Sequence, residues 1–106
     1  MELLLQKKNK YSKPSNFAYF VKKKFINKKK KNLLEIGCGD GRDSFFFSKK
    51  GLNVTALDAS KEIIKKNKLR QSTKMKNINF LNLNIKQALK IRFKKFEFIY
   101  LRFFLH

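Results

Sequence analysis

Glu35, Gly37, Gly39 and Gly41 occupy alternate positions in Leu33-Leu34-Glu35-Ile36-Gly37-Cys38-Gly39-Asp40-Gly41-Arg42-Asp43-Ser44. Such spacing suits a backbone that must come close to a ligand, because glycine has no Cβ to obstruct the approach. The apolar run ahead of the glycines ends in an acid, and Asp43 and Ser44 beyond them suit the opening of a helix. Strand, tight turn and helix N-terminus together make the place where an open α/β sheet receives a nucleotide-like ligand. The next apolar run, Asn53-Val54-Thr55-Ala56-Leu57, ends at Asp58 and Ala59. An acid at the tip of a second strand, about 20 residues after the glycines, is where a ribose hydroxyl pair is held. These residues read as a cofactor half-site.

The glycine spacing narrows the cofactor. A dinucleotide fingerprint needs G-x-G-x-x-G, and its third glycine falls here on Arg42. The phosphate-cradling G-x-x-x-x-G-K-[ST] pattern is absent as well. What stands instead is E-x-G-x-G-x-G, Glu35 to Gly41, which resembles the first motif of the class I S-adenosylmethionine (SAM)-dependent methyltransferases. The resemblance implies a loop of Glu35, Gly37, Cys38, Gly39 and Gly41 around the methionine part of SAM. It also implies that Asp58, with Ala59 beside it, holds the ribose. SAM has no phosphate and so needs no lysine in the loop. Its carboxylate suits backbone N–H groups near a helix start, and Glu35 suits its ammonium, directly or through water.

The similarity continues along the chain. Ile78-Asn79-Phe80-Leu81-Asn82-Leu83-Asn84 resembles the family's third strand, after which an acid commonly meets the adenine amino group. Asn84 stands there, and an amide oxygen can still accept from that amino group. The stretch from Phe96 to His106 resembles the fourth strand and the motif after it, with Glu97 at the usual acid. Lys13-Pro14-Ser15-Asn16-Phe17-Ala18 is similar to the start of the helix that precedes the first motif in some small methyltransferases. The segment after strand four implies Tyr100, Arg102 and His106 as candidates for touching substrate. A plain alternative stands beside each: Tyr100 as core, Arg102 paired with a helix carboxylate, His106 without a role. The Asn-Pro-Pro-Tyr type of motif that grips a planar amine is absent, which favours a small-molecule acceptor.

Composition sets the outer bounds. At 106 residues the chain is one domain or less. The family's sheet has seven strands, so the expectation is the N-terminal half of a larger domain, with the apolar fourth strand left as a bare edge. The 27 Lys and Arg against 7 Asp and Glu give a net charge of +20. Such a charge invites RNA. Lys, Asn, Ile and Phe are also the residues that an A- and T-rich gene produces without selection for binding, so both accounts stand. The single cysteine, Cys38, excludes an internal disulfide and makes the cytoplasm the default. No apolar run has the length of a membrane span, and the lone His gives no metal-ligand spacing.

The elements that must position these residues follow from periodicity and punctuation. Residues 1–13 read as loosely ordered or as a helix capping the cofactor. Ser15 caps a helix with Phe17, Phe20, Val21 and Phe25 on one side, and 27–32 form a charged linker. Strands are expected at 33–37, 53–57, 78–83 and 97–101. A helix over 42–50 is stopped by Gly51, a second follows the Ser60 cap with Ile63, Ile64 and Leu69, and a short one lies near 86–91. The fold class is therefore α/β, a Rossmann-like parallel sheet with flanking helices, representing strands 1–4 of the class I methyltransferase fold. It divides into a basic helical segment (1–32) and a SAM-binding half-domain (33–106). A catalytically inactive fragment, or a basic RNA-binding module keeping the fold, is the rival reading.

Overall fold

A computed structural model describes residues 2–7, 13–26, 31–71, 75 and 77–103, with the backbone alone at 2–7, 102 and 103. Five strands form one sheet: β1 (Glu2–Lys7), β2 (Asn32–Ile36), β3 (Asn53–Asp58), β4 (Ile78–Asn82) and β5 (Phe98–Phe103). Their spatial order is β1-β5-β2-β3-β4, and every pairing is parallel. The helices are α1 (Asn16–Phe25), α2 (Arg42–Lys49), α3 (Lys61–Arg70) and the short α4 (Ile85–Ala88), with a 3-10 turn at Phe93–Lys95. The four expected strands are all present, within a residue or two of their expected bounds.

The fifth strand corrects the expectation for the N-terminus. Glu2–Lys7 is neither loose nor helical. It pairs with β5, Leu3 opposite Ile99 and Leu5 opposite Leu101. The strand thought to be a bare edge therefore lies inside the sheet. An unpaired row of N–H and C=O groups along an apolar strand is costly, and the N-terminal segment satisfies it. Residues 27–30 of the expected linker lie outside the described residues, and Asn32 already belongs to β2.

Both faces of the sheet are covered. On one, α1, α2 and α3 bury Ala18, Val21, Phe46, Phe47 and Ile64 against Val54, Phe80 and Tyr100. On the other, Leu34, Leu57 and Ile99 pack beneath Ala88 of α4 and Phe96. Strands apolar on both sides are what a covered parallel sheet requires.

Two helices present faces that differ from the expected ones. In α1 the step from Ala18 to Val21 turns inward, while Phe20 and Phe25 are exposed and pack edge-on to each other at 6.2 Å. In α3 the step from Ile64 to Asn67 turns inward, and Leu69 is 79% exposed. A polar residue thus occupies the apolar face of α3, for a reason that lies in the site. Helix α2 ends as expected: Gly51 at φ 95° donates to Ser48 O and Leu52 to Phe47 O, the paired bonds of a Schellman cap.

Candidate functional site

The glycine loop leaves the end of β2 and is pinned first to β3. Gly37 N and Cys38 N both donate to Leu57 O at 2.8 Å. Asp58, the next residue on β3, turns its carboxylate onto the loop. Its Oδ2 accepts from Gly39 N at 3.0 Å and its Oδ1 from Ser60 N at 2.9 Å. The acid and the loop that the sequence sets 19 residues apart are thus in direct contact. A carboxylate oxygen offers two lone pairs, so each oxygen still has one for a hydroxyl.

Gly41 opens α2 at φ 80°. A Cβ there would sit 3.0 Å from Phe45 Cε2, so both backbone and space call for glycine. Asp43 and Ser44 do not cap this helix. Asp40 does the work instead, its Oδ1 accepting from Arg42 N and from Arg42 Nε, each at 3.1 Å. With Gly41 N donating to Cys38 O, the N–H groups of residues 37, 38, 39, 41 and 42 are engaged within the protein. Much of the loop's donor capacity holds its own shape.

Asp43 and Ser44 face the core. Ser44 Oγ donates to Glu35 Oε1, which joins the first turn of α2 to β2. Glu35 is fully buried and acts here as a strut under the loop. Asp43 accepts from Ser15 N and Ser15 Oγ, each at 2.9 Å, and from Tyr100 OH at 2.7 Å. Ser15 also caps α1 through Ala18 N, so one buried carboxylate ties α1, α2 and β5 together. Burial first, then the charge of Asp43, pushes the Tyr100 phenol far above its usual range and keeps it a donor.

Residues without a sequence signal complete the loop's frame. Asn67 Nδ2 donates to Gly39 O at 2.7 Å, and Arg70 Nη2 reaches Asp40 O. This is why α3 buries an amide: the loop's carbonyls need donors once they leave β2. Asn82 Nδ2 donates to the carbonyls of Asp58 and Ala59, each at 3.0 Å, fixing the turn after β3.

The remaining candidates separate. Asn84 is exposed and caps α4, its Oδ1 accepting from Gln87 N at 2.8 Å. The oxygen intended for an adenine amino group thus has a structural task, with its second lone pair and its NH2 left over. Cys38 is buried in the loop and Ala59 exposed beside it. Tyr100 is wholly buried, opposite Glu35 in the β2–β5 register, so it belongs to the frame and does not meet a substrate in this conformation. Glu97 accepts from Asn32 N at 3.0 Å and joins the starts of β2 and β5, the end of the sheet away from the loop. Arg102 lies on β5, and His106 falls outside the described residues. Among the described residues no helix is long and apolar enough to cross a membrane, and no group of His, Cys, Asp or Glu could hold a metal.

This strand-loop-helix geometry agrees with comparison to known proteins. Residues 33–106 match a family model described as a methyltransferase domain. The chain belongs to that methyltransferase family, the class I SAM-dependent group that its glycine motif resembles. No curated protein sequence matches it. Among solved structures it is similar to the YcgJ protein of Bacillus subtilis, with 22% identity over 80% of this chain and 36% of that one, and a TM-score of 0.68. The PH0226 protein of Pyrococcus horikoshii OT3 shares 26% identity over 76% of this chain and 37% of that one (TM-score 0.61). PKMT2 of Rickettsia typhi, solved in complex with AdoHcy, shares 28% over 67% and 14% (TM-score 0.58). The chain spans well under two thirds of the length of the solved structures it matches.

Proposed function

We propose that the chain binds SAM across the Gly37–Gly41 loop and Asp58, as the cofactor-holding part of a methyltransferase acting on a small-molecule acceptor. One observation carries this reading: the Asp58 carboxylate is anchored on Gly39 N and Ser60 N with a lone pair to spare on each oxygen. It suits a vicinal diol and arrives already oriented. Membership of the methyltransferase family and the AdoHcy held by PKMT2 support the same cofactor.

The donor set fits SAM. Three loop glycines at φ 77°, 56° and 80° bring the backbone near without Cβ atoms. The loop carries an acid ahead of it and no lysine within it, which suits a cationic, phosphate-free ligand. When bound, SAM supplies a methyl group on a sulfonium that leaves readily in an in-line displacement. The duties of the chain are positional. Asp58 accepts the ribose hydroxyls, the start of α2 faces the carboxylate, and Asn84 offers its amide to adenine. Glu35 and Ser44 keep α2 in place beneath them. Holding donor and acceptor in line and excluding water provides most of the rate. A general base is needed only where the acceptor carries a proton that must leave.

The test is transfer from SAM labelled in its methyl group. The chain is incubated with a panel of small amines, phenols and carboxylates, and separately with RNA. Label in acid-soluble product supports the reading. Label in RNA moves the acceptor to nucleic acid, to which the +20 charge lends weight. Cofactor bound with no turnover favours a chain that keeps the cradle without catalysis.

A further inference from the structure

Arg70 ends α3 on its exposed side, outside the glycine loop and Asp58. It nevertheless begins a series of contacts that finishes on the Asp58 carboxylate. Its Nη2 donates to Asn67 Oδ1 at 2.9 Å and to Asp40 O in the loop. Its guanidinium lies 5.6 Å from the centre of the Phe45 ring on α2. A guanidinium donates and never accepts, so Asn67 must turn its Oδ1 toward Arg70. The Nδ2 of Asn67 is thereby aimed the other way, at Gly39 O, 2.7 Å distant. Arg70 thus decides which end of a buried amide meets the loop.

Gly39 carries the effect onward. Its φ is 56°, and a glycine has no side chain to hold such a backbone angle. What holds it is the pair of bonds at its two polar groups. Gly39 O accepts from Asn67 Nδ2, and Gly39 N donates to Asp58 Oδ2 at 3.0 Å. If the first bond is lost, the glycine is free to turn and to withdraw its N–H from Asp58. The Asp58 carboxylate would then keep one anchor, Ser60 N on Oδ1. The torsion that sets the plane of an aspartate carboxylate is a soft one, so a single anchor leaves that plane loose. Accepting two neighbouring hydroxyls at once needs the plane fixed.

On the basis of the SAM site proposed above, we infer that Arg70 is a positioning residue for the cofactor: through Asn67 and Gly39 it holds the Asp58 carboxylate in the plane that accepts both ribose hydroxyls. Its effect falls mainly on the ribose contact and little on the remainder of the ligand. A residue that only stabilised the fold would weaken every ligand of the site alike.

The experiment titrates AdoHcy, the demethylated form of SAM, and its 2′,3′-dideoxy analogue into the full chain. The wild type binds AdoHcy about ten-fold more tightly than the analogue, as hydrogen bonds to a carboxylate require. Arg70→Met keeps the apolar stem and removes the donors. It cuts that preference by about five-fold while the affinity for the analogue changes by less than about two-fold. Arg70→Lys, whose ammonium can still donate, restores most of the preference. Lys68→Met, which removes one exposed charge from the same helix, leaves it intact. Full preference in Arg70→Met, or equal losses for the two ligands, would overturn the role of Arg70 and leave the Asp58 site standing. A wild type that binds the two ligands alike, or neither, would refute the Asp58 site and the role of Arg70 with it.

Discussion

Gly41 and Asp58 show how much a single position decides. At φ 80° with Phe45 Cε2 3.0 Å from any added Cβ, Gly41→Ala carries left-handed backbone strain and a steric push on Phe45. The expected cost is about 1–2 kcal/mol from the backbone alone, read from the shift in urea midpoint at constant slope. An alanine as stable as the wild type would mean that Gly41 does not hold the left-handed conformation at the start of α2. The glycines and Asp58 were legible in the sequence because spacing alone exposes them. Asp40 was not, since Asp43 and Ser44 are equally good capping types and only the turn of the backbone selects among them. Glu35 was legible as an acid in the motif, but its burial against Ser44 depends on the seating of α2.

Secondary-structure elements set the frame in which these residues act. Asn67 occupies the inward face of α3 at a position where periodicity calls for an apolar side chain. Its bond to Gly39 O could not be read before the helix was placed. Asn67→Leu keeps the burial and removes the donor. The variant is expected to stay folded, to lose about 1–3 kcal/mol of stability because Gly39 O loses its buried donor, and to weaken SAM binding several-fold. Unchanged stability and SAM affinity would remove Asn67 from the loop's support. Strand β1 is the element that sequence reasoning missed. The apolar run Leu3-Leu4-Leu5 is too short to tell strand from helix, and its partner β5 lies some 95 residues away, as the Leu3–Ile99 pairing records. Removing residues 1–7 uncovers the β5 edge, and static light scattering should then report association at concentrations where the full chain stays dispersed. A truncated chain that scatters no more than the original would mean that β1 protects nothing.

At the scale of the whole molecule, one buried carboxylate joins three elements. Asp43 of α2 holds Ser15 ahead of α1 and Tyr100 of β5. The folded-state pKa of Tyr100 is raised above its ordinary value of 10.0. The stabilisation linked to that phenol is therefore fully present below pH 10 and is lost as pH climbs beyond it, because the unfolded chain gives up the proton first. Tyr100→Phe is expected to be less stable by about 1–3 kcal/mol at neutral pH, since Asp43 loses a buried donor. The gap to wild type should narrow above pH 10 by up to about 1.4 kcal/mol per pH unit, as measured by denaturant unfolding across pH 8–11. A gap that stays constant across that range would detach Tyr100 from the network.

The α/β class and the succession of strands and helices about the glycine loop were within reach of the sequence, because alternation of apolar runs and helix caps implies them, whereas the order of the strands in the sheet was not. The network was not, since its members come from residues 15, 43 and 100 and carry no local pattern. The central claim is that Asp58 and the glycine loop form one SAM site. Calorimetric titration of SAM into the wild-type chain and into Asp58→Ala, with NAD as the control ligand, tests it most directly. The account predicts saturable SAM binding by the wild type, an affinity about ten-fold lower or worse in the variant, and no binding of NAD. Equal SAM affinity in the two chains, or NAD bound as well as SAM, would contradict it.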